Sequence, residues 1–331
     1  MSAASKILVL GSNSFSGASF VAHALARGAQ VVGASRSQPP ACALLPYHWT
    51  PHEAFSFRRI DLNHDLDALM RIVADFRPQW VVNFAAQSMV AESWKHPEHW
   101  FATNAVATVR LHERLRHCDF LQRYVHISTP EVYGSCSGFV HEDAPFNPST
   151  PYAVSRAAAD MSLRTFHAAY GFPVVTTRAA NVYGPGQQLY RIVPRAILFA
   201  LTGRKLQLHG GGHSQRAFVH IRDVSEATWR IAASGVSGET YHISTDEVIS
   251  IRAVVERIYA HMGIAFSDAA EVVGERLGKD AAYRLDSTKL KQTLGWKAQV
   301  TLDAGIDECI AWVKANLAEL STLPCDYQHK P

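Results

Sequence analysis

The chain has 331 residues, of which 47% are hydrophobic and 18% charged, and its formal net charge is +3 with histidine neutral. That length holds one large α/β unit or two coupled domains with ample core. The charge is slight and its basic residues are spread out, which excludes an electrostatic case for nucleic acid, and no apolar run approaches the ~18 residues of a membrane span.

Lys6 to Leu10 is a short aliphatic run that predicts a buried parallel strand. The M-S-A-A-S-K-I-L-V-L-G start has an apolar core too short for a signal peptide. The run breaks at Gly11-Ser-Asn-Ser-Phe-Ser-Gly17, a helix is expected over Ala18 to Arg27, and a strand over Gln30 to Gly33. In that order a glycine turn reads as a dinucleotide fingerprint. Gly11 makes the tight turn, and Ser14, Phe15, Ser16 and Gly17 open a helix whose N–H groups face a pyrophosphate. Ser14 stands where close backbone approach usually calls for glycine, so a chance glycine turn stays open. The second strand runs into Ser35 and Arg36, where an NAD site carries an acid. An arginine there suits the 2′-phosphate of NADP, or is a surface loop residue.

Three further strands are expected: Phe57 to Ile60 leading to Asp61 and Leu62, Trp80 to Phe84 leading to Ala85, Ala86 and Gln87, and Arg123 to Ile127. Helices over Asp65–Phe76 and Glu98–Arg116 separate them, and Pro173 to Thr177 and Thr240 to Ile243 add two more strands. This rhythm specifies an α/β, Rossmann-type, doubly wound parallel sheet with ligands at the carboxyl ends of its strands. Gly11, Ser35, Ala85 and Thr129 all fall at such ends. His96-Pro97-Glu98-His99 lacks H-E-x-x-H spacing and has no cysteine or acid cluster beside it, so no metal is expected. The five cysteines, Cys42, Cys118, Cys136, Cys309 and Cys325, form no C-x-x-C pair, which predicts a reduced cytoplasmic protein.

The densest chemistry lies between Val125 and Arg156, in V-H-I-S-T-P-E-V-Y-G and P-S-T-P-Y-A-V-S-R. Ser128 and Thr129 supply hydroxyls and Glu131 a carboxylate. Tyr152 and Arg156, four apart on an expected helix, place a phenol beside a permanent positive charge that lowers its pKa. Such groups can move protons on a small polyol. They also fit plainer roles, Ser128–Glu131 as a capped helix start and Tyr152 with Arg156 as a pair on a solvated face.

Beyond Ala180 the chain becomes loop-rich and carries Arg191, Arg195 and Arg216. Their forked donors suit a diphosphate, scattered surface arginines being the alternative. Residues 181–216 and 247–323 read as a smaller substrate domain interleaved with a dinucleotide domain at 1–180 and 217–246. Residues 324–331 form a polar tail expected to be loosely ordered.

Over nearly its whole length the chain resembles the extended short-chain dehydrogenase/reductases, and within them the nucleotide-sugar 4,6-dehydratases. I-S-T-P-E-V-Y-G is similar to their S-T-D-E-V-Y-G, and P-S-T-P-Y-A-V-S-R-A-A-A-D to P-x-S-P-Y-x-x-S-K-A-x-x-D. R-A-A-N-V-Y-G-P-G-Q and R-L-G-K-D-A-A-Y-R-L-D match two substrate-loop motifs. The resemblance implies a tightly held nicotinamide cofactor, a nucleotide-diphosphate sugar, and a homodimer packed through helices 98–116 and 152–170. It adds Asn104, Ala179, Tyr152 and Arg156 to the cofactor contacts. For the substrate it implies Ser88, Thr129, Glu131, Asn181, Arg191 and Val193, together with Arg195, Gln207, His209, Arg216, Arg276 and Asp280.

The resemblance also implies a cycle without net redox change. Tyr152 takes the proton of the sugar C4 hydroxyl during transient C4 oxidation, and Thr129 orients that oxygen. Glu131 removes the C5 proton that the 4-keto group has made acidic, and water leaves from C6. Three positions depart from the pattern: Ser14 replaces a glycine, Arg156 a lysine, and Pro130 the acid that protonates the leaving hydroxyl in some members. Relatives similar to the GDP-mannose enzymes also lack that acid and often use NADP, in line with Arg36, NAD being the alternative. Glu131 then both takes the C5 proton and serves the leaving group. An epimerase or decarboxylase of the same fold, or a non-catalytic nucleotide sensor, are the other readings.

Overall fold

The computed structural model describes residues 5–136, 138–274 and 284–330. Its centre is a seven-stranded sheet of β1 (Lys6–Leu10), β2 (Gln30–Ser35), β3 (Phe55–Arg59), β4 (Trp80–Asn83), β5 (Arg123–Ile127), β6 (Val174–Ala179) and β7 (Thr240–Ile243). The order is β7-β6-β5-β4-β1-β2-β3 and every pairing is parallel. Alternation along β1 explains its wholly aliphatic sequence. Ile7 and Val9 enter one core layer while Leu8 and Leu10 enter the other, so both faces are buried.

Helices α1 (Phe15–Ala26), α2 (Leu66–Phe76), α3 (residues 97–115), α4 (Pro151–Tyr170) and α6 (Ile221–Ser234) accompany this sheet. Phe20, Val21 and Ala24 of α1 share a core with Ala227 and Ile231 of α6. On the other side, Leu69 and Val73 of α2 pack with Leu111 and Leu115 of α3. A separate core joins α5 (Ile192–Leu201), α7 (Ile251–Met262) and α8 (Leu302–Ala315) through Ile197, Val254, Ile258, Ile306 and Trp312. Among the described residues no helix is long and apolar enough to cross a membrane.

Several expected boundaries move. Strand β3 begins at Phe55 and ends at Arg59 rather than running from Phe57 to Ile60, and pairing Ser35 with Arg59 sets that end. Strand β6 continues past Thr177 through Arg178 to Ala179. Short strands at Leu206–His209 and Ala270–Val273 pair with each other where only loops and helices were expected. Segment 324–330 is packed rather than loose: Asp326 pairs with Arg195 at 2.9 Å, and His329 lies 2.8 Å from His99 and stacks on Trp100.

Candidate active site

Two cavities meet above the carboxyl ends of β1 and β4, where the strand order reverses, and both are walled by Ser14, Phe84, Ala86 and Gln188. The first, of about 320 Å³, is lined by Gly11, Ser14, Ser35, Arg36, Asp61, Leu62, Ala85, Ala86 and Gln87. The second, of about 610 Å³, is lined by Phe15, Ser16, Ser88, Thr129, Glu131, Tyr152, Arg156, Ala179, Asn181, Arg191 and Val193.

The glycine turn is shaped by close approach. A Cβ on Gly11 would sit 2.7 Å from the Ala85 nitrogen, at a φ of +75° that disfavours other residues, and one on Gly17 would sit 2.2 Å from the Gly11 oxygen. Ser14 replaces the family glycine without strain, at φ −75° and ψ 159°. Its hydroxyl donates to the Gly11 carbonyl at 2.7 Å and accepts from the Gly17 N–H at 3.1 Å, capping α1. A cradle that side chains would fill, at the N-terminus of a twelve-residue helix, fits the pyrophosphate of a dinucleotide. Ser35 ties the turn to β2, its oxygen accepting from the Asn13 N–H at 3.0 Å. Asn104 lies behind the cleft in a π-helical stretch, Phe101–Ala107, of α3. Its side chain holds both backbone groups of Gln87 and donates to Ser155 at 3.0 Å, joining the β4 loop to α4.

Thr129, Glu131, Tyr152 and Arg156 line the larger cavity together. Thr129 caps a single turn, Pro130–Tyr133, and accepts from the Glu131 N–H at 3.3 Å, so the capped-helix reading and the catalytic one describe the same residues. Its side chain also hydrogen-bonds the phenol of Tyr152, which is only 8% exposed. Burial and the Glu131 charge raise the phenol pKa above its ordinary value, against Arg156, the Thr129 bond and Arg191. Arg156 therefore acts in the expected direction but does not prevail. Its guanidinium is turned toward β5, donating to the Ile127 carbonyl and lying 3.3 Å from His126 Nε2. The buried Nε of Arg156 has no hydrogen-bond partner among the described residues.

Beneath these groups lies a buried ionic network. Asp160 accepts from Arg178 at 2.7 Å and from the Ser128 hydroxyl at 2.7 Å, with His126 at 3.3 Å. Arg178 also donates to the hydroxyl of Tyr133, which meets His242 at 2.7 Å. Burial would raise the Asp160 pKa, but Arg178, His126 and Arg156 together hold it well below the carboxylate range. Its folded value is lowered, so its stabilisation is complete above the unfolded pKa of about 4 and is lost as pH falls below it. Asp160→Asn should strand the Arg178 charge and cost about 3–5 kcal/mol in urea unfolding at pH 7. Unchanged stability would show that Arg178 has no need of the carboxylate.

The remaining expected substrate residues lie elsewhere. Arg195 pairs with Asp326 and packs over Phe199, and Gln207 reaches Glu271 at 3.3 Å on the outer edge of a two-stranded sheet. His209 meets the Gly274 carbonyl at 3.2 Å, and Arg216 donates to the Gln215 carbonyl at 2.8 Å. None of these four lines either cavity. Arg276 and Asp280 lie outside the described residues. Ser37, Gln187, Tyr190 and Lys330 line the cavities without having been singled out in the sequence, and no pattern reading joins residue 330 to a site beside residue 37.

Residues 8–309 match the family described as GDP-mannose 4,6 dehydratase. The dTDP-glucose 4,6-dehydratase of Xanthomonas campestris pv. campestris is 32% identical over 329 residues, covering 93% of each chain. That of Streptomyces niveus is 33% identical over 323 residues, covering 95% of this chain and 94% of the relative. Among solved structures, the dTDP-glucose 4,6-dehydratase of Streptomyces venezuelae with NAD and TYD bound superposes with a TM-score of 0.87, at 31% identity over 95% of this chain and 98% of that one. UDP-glucose 4-epimerase of Thermus thermophilus with NAD gives 0.84, at 27% identity over 93% and 99%. The glycine cradle, the Thr129–Glu131–Tyr152 cluster and these likenesses converge: the chain belongs to the GDP-mannose 4,6-dehydratase family and is a nicotinamide-dependent nucleotide-sugar 4,6-dehydratase of the extended short-chain dehydrogenase/reductase type.

Proposed function

We propose that the enzyme converts a nucleoside-diphosphate hexose into its 4-keto-6-deoxy form with NADP(H) as resident cofactor. The relatives named for dTDP-glucose make a nucleoside-diphosphate glucose the first candidate. One observation carries the reaction class: the Glu131 carboxylate shares a cavity with Tyr152 and Thr129. A simple 4-epimerase needs no base at C5, whereas elimination across C5 and C6 does.

The roles follow from placement. Tyr152 receives the proton of the C4 hydroxyl, and Thr129, bonded to the phenol, orients that oxygen. When bound, an oxidised nicotinamide supplies the hydride acceptor and a positive charge that favours the phenolate. Glu131 takes the C5 proton, and with Pro130 beside it, also serves the departing hydroxyl. Arg191 and Asn181 line the same cavity and suit the diphosphate. Incubation with a panel of nucleotide sugars should yield a product lighter by one water. Unchanged mass from every sugar would favour an epimerase, and loss of carbon dioxide a decarboxylase.

Arg36 at the end of β2, with Ser35 and Ser37 in the same cavity wall, supports NADP(H) over NAD(H). A charge-assisted contact to the 2′-phosphate should favour NADPH by about 10- to 100-fold. Direct titration of both reduced cofactors checks this, and equal affinities would refute it.

We also propose the domain division at 1–180 with 217–246 and 181–216 with 247–323, and a homodimer through α3 and α4. Phe101, Val106 and Val109 on α3 and Val154 and Met161 on α4 remain exposed, as a helical dimer face would leave them in one protomer.

A further inference from the structure

Segment 324–330 crosses the cofactor cleft as a strap. Asp326 is anchored to Arg195 of α5 at 2.9 Å, and Tyr327 meets the ring of Tyr190 edge to face at 5.5 Å. His329 stacks on Trp100 at 5.0 Å, with its Nε2 2.8 Å from His99 Nδ1 at the start of α3. These contacts deliver Lys330 into the wall of the first cavity, opposite the end of β2. Its carbonyl accepts from the Gln87 side chain at 2.7 Å, and its ammonium donates to the Ser37 hydroxyl at 3.3 Å.

The strap brings a second cation to Arg36, beside the hydroxyls of Ser35 and Ser37 in the same wall. Asp61, the carboxylate among the described residues of that wall, accepts from the Asn63 N–H at 2.9 Å. Two cations flanked by hydroxyls match a phosphate monoester dianion rather than a neutral ribose hydroxyl. We propose that Lys330 is a specificity-determining residue of the cofactor site, sharing the 2′-phosphate of NADP(H) with Arg36, and that the strap completes the site from a segment far away in sequence. The inference rests on the NADP(H) reading and extends it to a residue outside the dinucleotide-binding sheet. Because strap and phosphate then meet at one ammonium, binding of either favours the other.

The test uses the full chain and measures dissociation constants for NADPH and NADH separately, by calorimetry, in the wild type, Lys330→Met and Lys330→Arg. Lys330 is exposed, so loss of its charge leaves the core untouched. Lys330→Met should weaken NADPH about tenfold and leave NADH within about twofold, and Lys330→Arg should retain the preference. The NADPH difference should shrink as salt is raised. A wild type that binds NADH as tightly as NADPH would remove the NADP(H) reading itself. A wild type that prefers NADPH, with Lys330→Met keeping that preference, would overturn the role of Lys330 alone. Equal weakening of both cofactors would make the strap a general clamp, and tightening of both would make it a competitor; either result also overturns the proposal.

Discussion

Tyr152→Phe is expected to lower kcat by about 10²–10⁴-fold, the usual worth of a positioned general base. The substitution keeps the ring, which is nearly buried, and removes only the hydroxyl that bonds Thr129. The fold should therefore survive with at most the loss of one hydrogen bond, about 1 kcal/mol. The pH profile separates chemistry from packing. Burial and Glu131 raise the pKa of Tyr152 in the free enzyme, so the reactive phenolate fraction grows with pH toward that raised value. In the wild type kcat/KM should climb through the alkaline range, and in Tyr152→Phe that limb should vanish. A phenylalanine variant with wild-type kcat, or with the limb intact, would place the base elsewhere.

Glu131→Gln should abolish elimination, with a loss of about 10²–10⁴-fold in product formation, because the amide cannot accept the C5 proton. It carries a second signature that a structural role would not produce. The Glu131 charge is one of the two influences that raise the Tyr152 pKa, so removing it should move the alkaline limb downward. Arg156→Met removes an opposing charge and should move the same limb upward. Opposite shifts from two residues four and twenty-one positions away from Tyr152 would show that all three share one electrostatic site. A Glu131→Gln enzyme that still released water at the wild-type rate would assign the C5 base to another group.

Strands β1, β2 and β4 were legible because they are buried and stand out as aliphatic runs, and β5 and β7 keep their expected ends. Strand β6 runs two residues past its expected end, and the Arg178 charge it carries inward is met by Asp160, eighteen residues earlier on α4. Single-residue patterning cannot foresee a buried ion pair between separate elements. The same limit hid the orientation of Arg156. Spacing placed it one turn from Tyr152, but the Ile127 carbonyl and His126 draw its guanidinium toward β5. Arg195 and Arg216 were read as loop arginines suited to a diphosphate, and the resemblance implied Gln207 and His209 beside them. The pairing of 206–209 with 270–273, and the Asp326 contact, engage Gln207, His209 and Arg195 away from the two cavities. The strap was read from composition as loose, yet aromatic and ionic contacts hold it.

In the proposed reaction one cavity hosts oxidation of C4, removal of the C5 proton and departure of the C6 hydroxyl of a single sugar. Its most direct test is nuclear magnetic resonance of the product formed in heavy water from an unlabelled nucleoside-diphosphate hexose. The product should be a 4-keto-6-deoxy sugar with one solvent deuterium at C5 and the substrate's own C4 hydrogen at C6. Solvent deuterium at C6, or a product that has lost water without deuterium at C5, would contradict it.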